Sequence, residues 1–178
     1  MKAAILAVAL TFSASISTAS AQNASRSPAP ATATKPSLAL IHNITADPQA
    51  ISEILRADGY DAEIEYSASG DPFITSEGSK NRFTIFFNNC TDGKDCRTIQ
   101  FYAGFATSEP RTLSLINQWN REKRFAKAYI DDQNDPRLEM DLNLNNGGVA
   151  RNNFVSDFRL WVRLLDAFKS HIDWNEDE

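Results

Sequence analysis

The sequence predicts an α+β domain, with an antiparallel sheet of about five strands and three helices in the order α-β-β-β-β-α-β-β-α. Three observations predict it. Two stretches alternate apolar and polar residues on both sides of a turn. Three others repeat apolar residues at helical spacing. The helices are separated by runs of strands instead of alternating with single ones, which excludes a parallel βαβ arrangement.

The elements follow in order. Residues 38–44 form an extra strand or simply pack. Asp47-Pro48 is a helix N-cap with proline at the first helical position, Gly59 is the stop, and Ile51, Ile54 and Leu55 make the apolar stripe. A weak hairpin has Ala62, Ile64 and Tyr66 on its first strand and residues 73–76 as its second, after a Ser-Gly-Asp turn. The strongest hairpin surrounds Cys90 and Cys96. If the cysteines face each other, Phe87 faces Ile99, Ile85 faces Phe101 and Phe83 faces Ala103, so one face is wholly apolar. The other face carries Thr84 opposite Tyr102 and Phe86 opposite Gln100. Thr112 caps a second helix through Asn120 that buries Leu115, Ile116 and Trp119, with the Asn120 amide terminating it. Residues 125–130 and 137–143 form another hairpin around an acidic turn. Its apolar positions are Ala126, Ala128, Ile130, Leu138, Met140 and Leu142, and Lys127 falls between Glu139 and Asp141. The last helix starts near Asn152 or Asn153 and carries Phe154, Phe158, Trp161, Leu165, Phe168 and Ile172 along one side, opposite Asp157, Arg159, Arg163 and Asp166.

The N-terminus reads as an export signal. Lys2 is followed by an apolar stretch too short to span a bilayer and by Ala19-Ser20-Ala21, the small-x-small pattern of a cleavage site. Residues 1–21 are therefore expected to be a signal peptide, 22–37 a flexible Ala/Pro/Ser/Thr linker, 38–174 a single domain and 175–178 an acidic tail. The expected location is periplasmic or secreted, with no integral membrane segment once the signal is removed. The chain has net charge −5, and every Asp and Glu follows residue 46. An acidic domain argues against nucleic acid and anionic lipid as partners. In an exported protein the close pair Cys90 and Cys96 is expected to be a disulfide. Five intervening residues suit a staple better than a redox pair, and a loop this short contributes roughly 2 kcal/mol.

No catalytic, metal or cofactor set emerges. His42 and His171 are isolated, no nucleophile elbow is present, and Pro136 and Leu142 stand where a calcium loop needs glycine and glutamate. The carboxylates Asp131, Asp132, Asp135, Glu139 and Asp141 could do paired acid–base work, but a solvated turn and a charged sheet face account for them better. With the apolar sheet face under the helices, the opposite face collects Phe86, Tyr102, Phe125 and Tyr129 among Thr84, Gln100, Lys127, Glu139 and Asp141. Aromatic anchors within a polar rim describe an interaction surface. The same rings also serve as cross-strand stabilisers.

The segments LRADGY (55–60), RFTIFF (82–87), QWNREKRFAKAYID (118–131) and LEMDLN (138–143), with Gly147-Gly148 before the last helix, give the chain a resemblance to the YbjN family of bacterial proteins. The resemblance covers about residues 46–172, and WNxxxRFxxAY is its most specific part. It implies a sensory-transduction regulator with the fold of type III secretion chaperones, which are small non-enzymatic proteins that bind other polypeptides. This chain differs from that picture in its export signal and disulfide loop. The resulting expectation is a non-catalytic exported interaction module in a regulatory or chaperone-like role. Its partner would be a protein or peptide, a second copy of the chain included. A binder of small ligands or envelope components is the alternative, and a hydrolase ranks last.

Overall fold

Asp47 opens the first helix through its side chain, which accepts the Gln49 N–H at 2.9 Å. With Pro48 at the first helical position this starts α1 (Pro48–Ala57), and Ile51, Ile54 and Leu55 are buried on one side. These coordinates are a computed structural model that describes residues 43–107 and 111–174. The expected signal, linker and acidic tail lie outside the described residues, as do 38–42 of the possible first strand. The described residues all lie within the unit Leu38–Glu178.

After α1 come four strands: β2 (Asp61–Tyr66), β3 (Pro72–Gly78), β4 (Asn81–Asn88) and β5 (Thr98–Gly104). Then follow α2 (Leu113–Glu122), β6 (Lys127–Ile130), β7 (Pro136–Asn143) and α3 (Arg151–His171). A two-residue strand β1 (Asn43–Ile44) precedes α1, and its partner β8 (Val149–Ala150) precedes α3. The large sheet is antiparallel throughout, in the order β2-β3-β4-β5-β7-β6. It is the expected α+β class with more strands than the five expected, six in this sheet and a separate pair beside it. The pair forms because the chain closes very tightly there: a Cβ on Gly148 (φ +77) would run into the Ile44 carbonyl.

The β4–β5 register is the one that the cysteine spacing and the alternation predicted. Phe87 pairs with Ile99, Ile85 with Phe101 and Thr84 with Tyr102, and Cys90 and Cys96 are disulfide-bonded at the hairpin tip. Phe83, Ile85, Phe87, Ile99 and Phe101 are all buried on the inner face. α3 lies over that face. Phe101 stacks on Phe158 and Trp161 with ring centroids 6.4 and 5.6 Å apart, and Phe83 meets Trp161 edge-on at 6.1 Å. α3 begins at Arg151, one or two residues before the expected asparagines, after an Ala150 cap that makes no side-chain bond.

At the other end of the sheet α2 closes the edge strand. Trp119 is fully buried and its Nε1–H donates to the Ala126 carbonyl at 3.2 Å. Asn120 does not terminate α2, which runs on to Glu122 and ends when the Lys123 N–H bonds the Trp119 carbonyl. Its amide instead pairs with the strand. Nδ2 donates to the Ala128 carbonyl and Oδ1 accepts the Ala128 N–H, both at 2.9 Å. Lys127 and Tyr129 bond inward to β7, so Ala128 presents its backbone outward on an open edge. The Asn120 side chain stands in for the missing neighbouring strand. Phe125 precedes β6 and is not part of it, because its backbone turns through φ +76 on leaving the α2 connection.

Truncating Trp119 to Ala should cost about 3–5 kcal/mol of stability, as for other fully buried tryptophans. Asn120→Ala has a sharper local signature. The Ala128 amide should exchange with solvent much faster than in the native chain while the inward-facing Tyr129 amide stays protected. Equal protection of Ala128 in both proteins would contradict the edge-sealing role.

Candidate interaction face

The residues that alternate with the core positions point away from α3, and the register places them in rows across the strands. One row runs Glu63, Thr75, Thr84, Tyr102, Glu139, Lys127, and the next runs Glu65, Phe73, Phe86, Gln100, Asp141. Phe73, Phe86 and Tyr102 form a continuous aromatic strip, with ring centroids 6.2 Å apart for the first pair and 5.5 Å for the second. Phe86 remains 36% exposed and Tyr129 39% exposed, so no helix covers this side at either position.

Glu139 is the polar centre of the face. It is only 8% exposed, and a carboxylate buried to that degree needs partners. It has three. Tyr129 donates its hydroxyl to Oε1 at 2.7 Å, Lys127 Nζ lies 3.0 Å from Oε2, and Gln100 Nε2 donates to Oε2 at 3.2 Å. Gln100 also donates to Asp141 Oδ1 at 2.9 Å, linking the two rows. Burial, reinforced by the hydrogen bond to Glu139 and its negative charge, pushes the Tyr129 phenol up to about 12. The hydrogen bond to Glu139 likewise raises Lys127 above the usual lysine range. These groups hold their protons tightly, the opposite of what proton transfer near neutral pH requires.

The other carboxylates of the acidic turn are used in the loop itself. Asp131 Oδ1 accepts the N–H groups of Gln133 and Asp135, each at 2.9 Å, and Oδ2 accepts Arg137 Nε at 2.7 Å. Burial acts to raise Asp131, but those two backbone donors and Arg137 outweigh it and hold its carboxyl below the usual range. Asp135 accepts the Thr107 N–H at 3.1 Å, tying the turn to the segment after β5. The Arg137 guanidinium lies across Gly104 and leaves no room there for a Cβ. His171 Nε2 is 2.9 Å from the Leu115 carbonyl and its ring packs on Trp119, which makes it a joint between α3 and α2. His42 lies outside the described residues. Among the described residues no three metal-ligating side chains converge.

Of the four aromatics that the sequence singled out, Phe86 and Tyr102 touch each other and Tyr129 reaches the same centre through Glu139. Phe125 is apart from them. It is 67% exposed at the margin of the face, with the Arg124 guanidinium 5.6 Å from its ring centre. Sequence reasoning missed Phe73, which the weak hairpin gave no reason to place beside Phe86. It also took Glu139 for a solvated charge. The signal for its burial was the register, which sets it between Tyr102 and Lys127.

Residues 47–174 match the model of the family YbjN, described as "Putative bacterial sensory transduction regulator". No curated protein and no solved structure matches the chain.

The Glu139 network can be read from an alkaline titration. Tyr129 is raised from an ordinary 10.0 to about 12, so the stability its neutral phenol contributes is complete below pH 10 and is lost as pH rises through about 12. Tyr129 should ionise late by its phenolate absorbance, and Tyr129→Phe should remove that step. Glu139→Gln should bring it part of the way back, leaving the effect of burial. A late phenolate step that persists in Tyr129→Phe would contradict the arrangement.

Proposed function

We propose, since the chain belongs to the YbjN family, that it is a non-catalytic regulatory protein that binds a protein or peptide partner through the outer face of its sheet. One observation carries the reading: the uncovered strip Phe73, Phe86 and Tyr102 beside the Glu139 network. Phenyl and phenol rings give large contact area at small entropic cost, and a satisfied polar network beside them fixes orientation without leaving a buried charge unpaired. The strip crosses three adjacent strands, from Phe73 on β3 through Phe86 on β4 to Tyr102 on β5, a span that suits another polypeptide. A second copy of the chain is one such polypeptide.

The same reading places the protein outside the cytoplasm, with 1–21 as leader, 22–37 as tether, 38–174 as the binding module and 175–178 as an acidic tail. The Cys90–Cys96 bond supports it, because short structural disulfides persist in oxidising compartments. Among the described residues no helix is long and apolar enough to cross a membrane. A chaperone-like role, in which the face holds a segment of another exported chain, fits the same surface.

A photo-crosslinking side chain at Phe86 or Tyr102 should give discrete adducts in cells, and one at the exposed Asn117 on α2 should not. Phe86→Gln should abolish the Tyr102 adducts while leaving the chain folded, at a cost of about 1–2 kcal/mol for the lost ring contacts with Phe73 and Tyr102. Identical adduct patterns at 86, 102 and 117 would place the interface elsewhere.

A further inference from the structure

The central pair of strands does not stay together along its whole length. β4 and β5 pair from Asn88–Thr98 to Thr84–Tyr102 and no further, although β4 reaches back to Asn81 and β5 on to Gly104. The next hydrogen-bonded rung would join Arg82 to Gly104, and it is not made. Beyond Thr84 each strand follows its outer neighbour. Gly78 pairs with Asn81 on one side; on the other, Gly104 pairs with Arg137 and the Phe105 N–H bonds the Pro136 carbonyl. The sheet forks, and a cleft of about 560 Å³ opens between the prongs and the end of α3.

The lining of the fork has a definite chemistry. Its apolar wall includes Phe83, Phe105, Leu165 and the half-buried Trp174, whose Nε1–H is held by the Ala106 carbonyl at 3.0 Å. Its charges are Glu77, Lys80, Arg82 and Lys169. Arg82 is bound to Glu77 at 3.0 Å, which leaves two lysines with no carboxylate among the described residues. Lys169 Nζ donates to the Lys80 carbonyl at 2.6 Å and lies 5.8 Å from the Trp174 ring centre, so it is fixed at the rim. Asn81 also lines the cleft, is 1% exposed, and has an Oδ1 that accepts no hydrogen bond. An excess of cations in an acidic chain, an apolar wall, an unmade backbone rung and an orphan amide oxygen are complementary to one kind of ligand.

We propose that the fork between β4 and β5 binds the carboxylate-bearing end of an extended peptide. The carboxylate meets Lys80 and Lys169, an apolar side chain lies against Phe105, Leu165 and Trp174, and the peptide's amides take the hydrogen bonds that Arg82, Gly104 and Asn81 leave open. A cleft of this volume suits one or two residues, within the roughly 300–1,000 Å³ of small-ligand sites. The cleft shares Thr84 and Tyr102 with the outer face, but the lysines and the wall of Phe105, Leu165 and Trp174 on which the assignment rests are not part of the aromatic strip.

Trp119 and Trp161 are fully buried, so Trp174 emission reports on the cleft. The purified chain is titrated with N-acetylphenylalanine and with its uncharged amide, and binding is confirmed by calorimetry. The acid should bind saturably and about three- to tenfold more tightly than the amide, with the difference shrinking as salt screens the lysines. Lys169→Met should abolish that preference and leave amide binding unchanged. Should Lys169→Met lower the melting temperature, Lys80→Met at the exposed β3–β4 turn makes the same measurement. The tripeptide Ala-Ala-Phe should bind at least as tightly as the single residue. No saturable change with the acid, equal affinities for acid and amide, a preference that survives both lysine substitutions, or exclusion of the tripeptide would each overturn the assignment.

Discussion

The structure depends on the contact between α3 and the inner face of the sheet. Phe101 stacks on the rings of Phe158 and Trp161, and Phe83 closes against both. Side chains of this size contribute most of the buried apolar area of a chain this small. Because strand side chains alternate, committing Phe83, Ile85 and Phe87 to α3 commits Thr84 and Phe86 to the opposite side. A slip of one residue would exchange the two faces, and the Cys90–Cys96 bond at the hairpin tip holds the register against it. The outer face is therefore a consequence of the core, and its composition is where the chain was free to choose a surface.

The edges of the sheet are treated differently. At β6 the Asn120 amide and the Trp119 indole bond to outward-facing backbone, so these two residues of the chain's most conspicuous motif build architecture. At β2 the Arg56 guanidinium covers the Ala62 carbonyl, and Asp61, Glu63 and Glu65 line the neighbouring outer face. Charge along an edge discourages pairing with another strand. With one edge sealed and the other charged, strand addition is disfavoured at both edges of the sheet.

Much of this was legible in the sequence, for identifiable reasons. The β4–β5 register was fixed twice, by the cysteine spacing and by the alternation of Phe83, Ile85 and Phe87. α1 was announced by Asp47-Pro48. Lys127 between Glu139 and Asp141 followed from pairing the apolar faces of β6 and β7, and its nitrogen lies 3.0 and 3.8 Å from their carboxylates. What the sequence could not display was non-local. That β7 and not β6 lies against β5 depends on α2 carrying the chain past the edge. The role of Asn120 depends on which way Ala128 turns its backbone. The fork depends on β4 and β5 each following its outer neighbour, which no local pattern encodes. Of the candidate site, Phe86, Tyr102 and Tyr129 were readable because period two assigns faces, whereas Phe125 was misplaced because its positive φ ends the alternation before the strand begins.

The central claim is that one face of the sheet is buried by α3 and the other is free in the isolated chain and covered in the cell. Hydroxyl-radical footprinting of the dilute purified protein and of the same protein in intact cells tests it directly. The account predicts that Phe86, Tyr102 and Tyr129 are oxidised in the purified chain and protected in cells, while Tyr66, 67% exposed on the β2 edge, is oxidised in both. Equal oxidation of all four residues in both settings would contradict it.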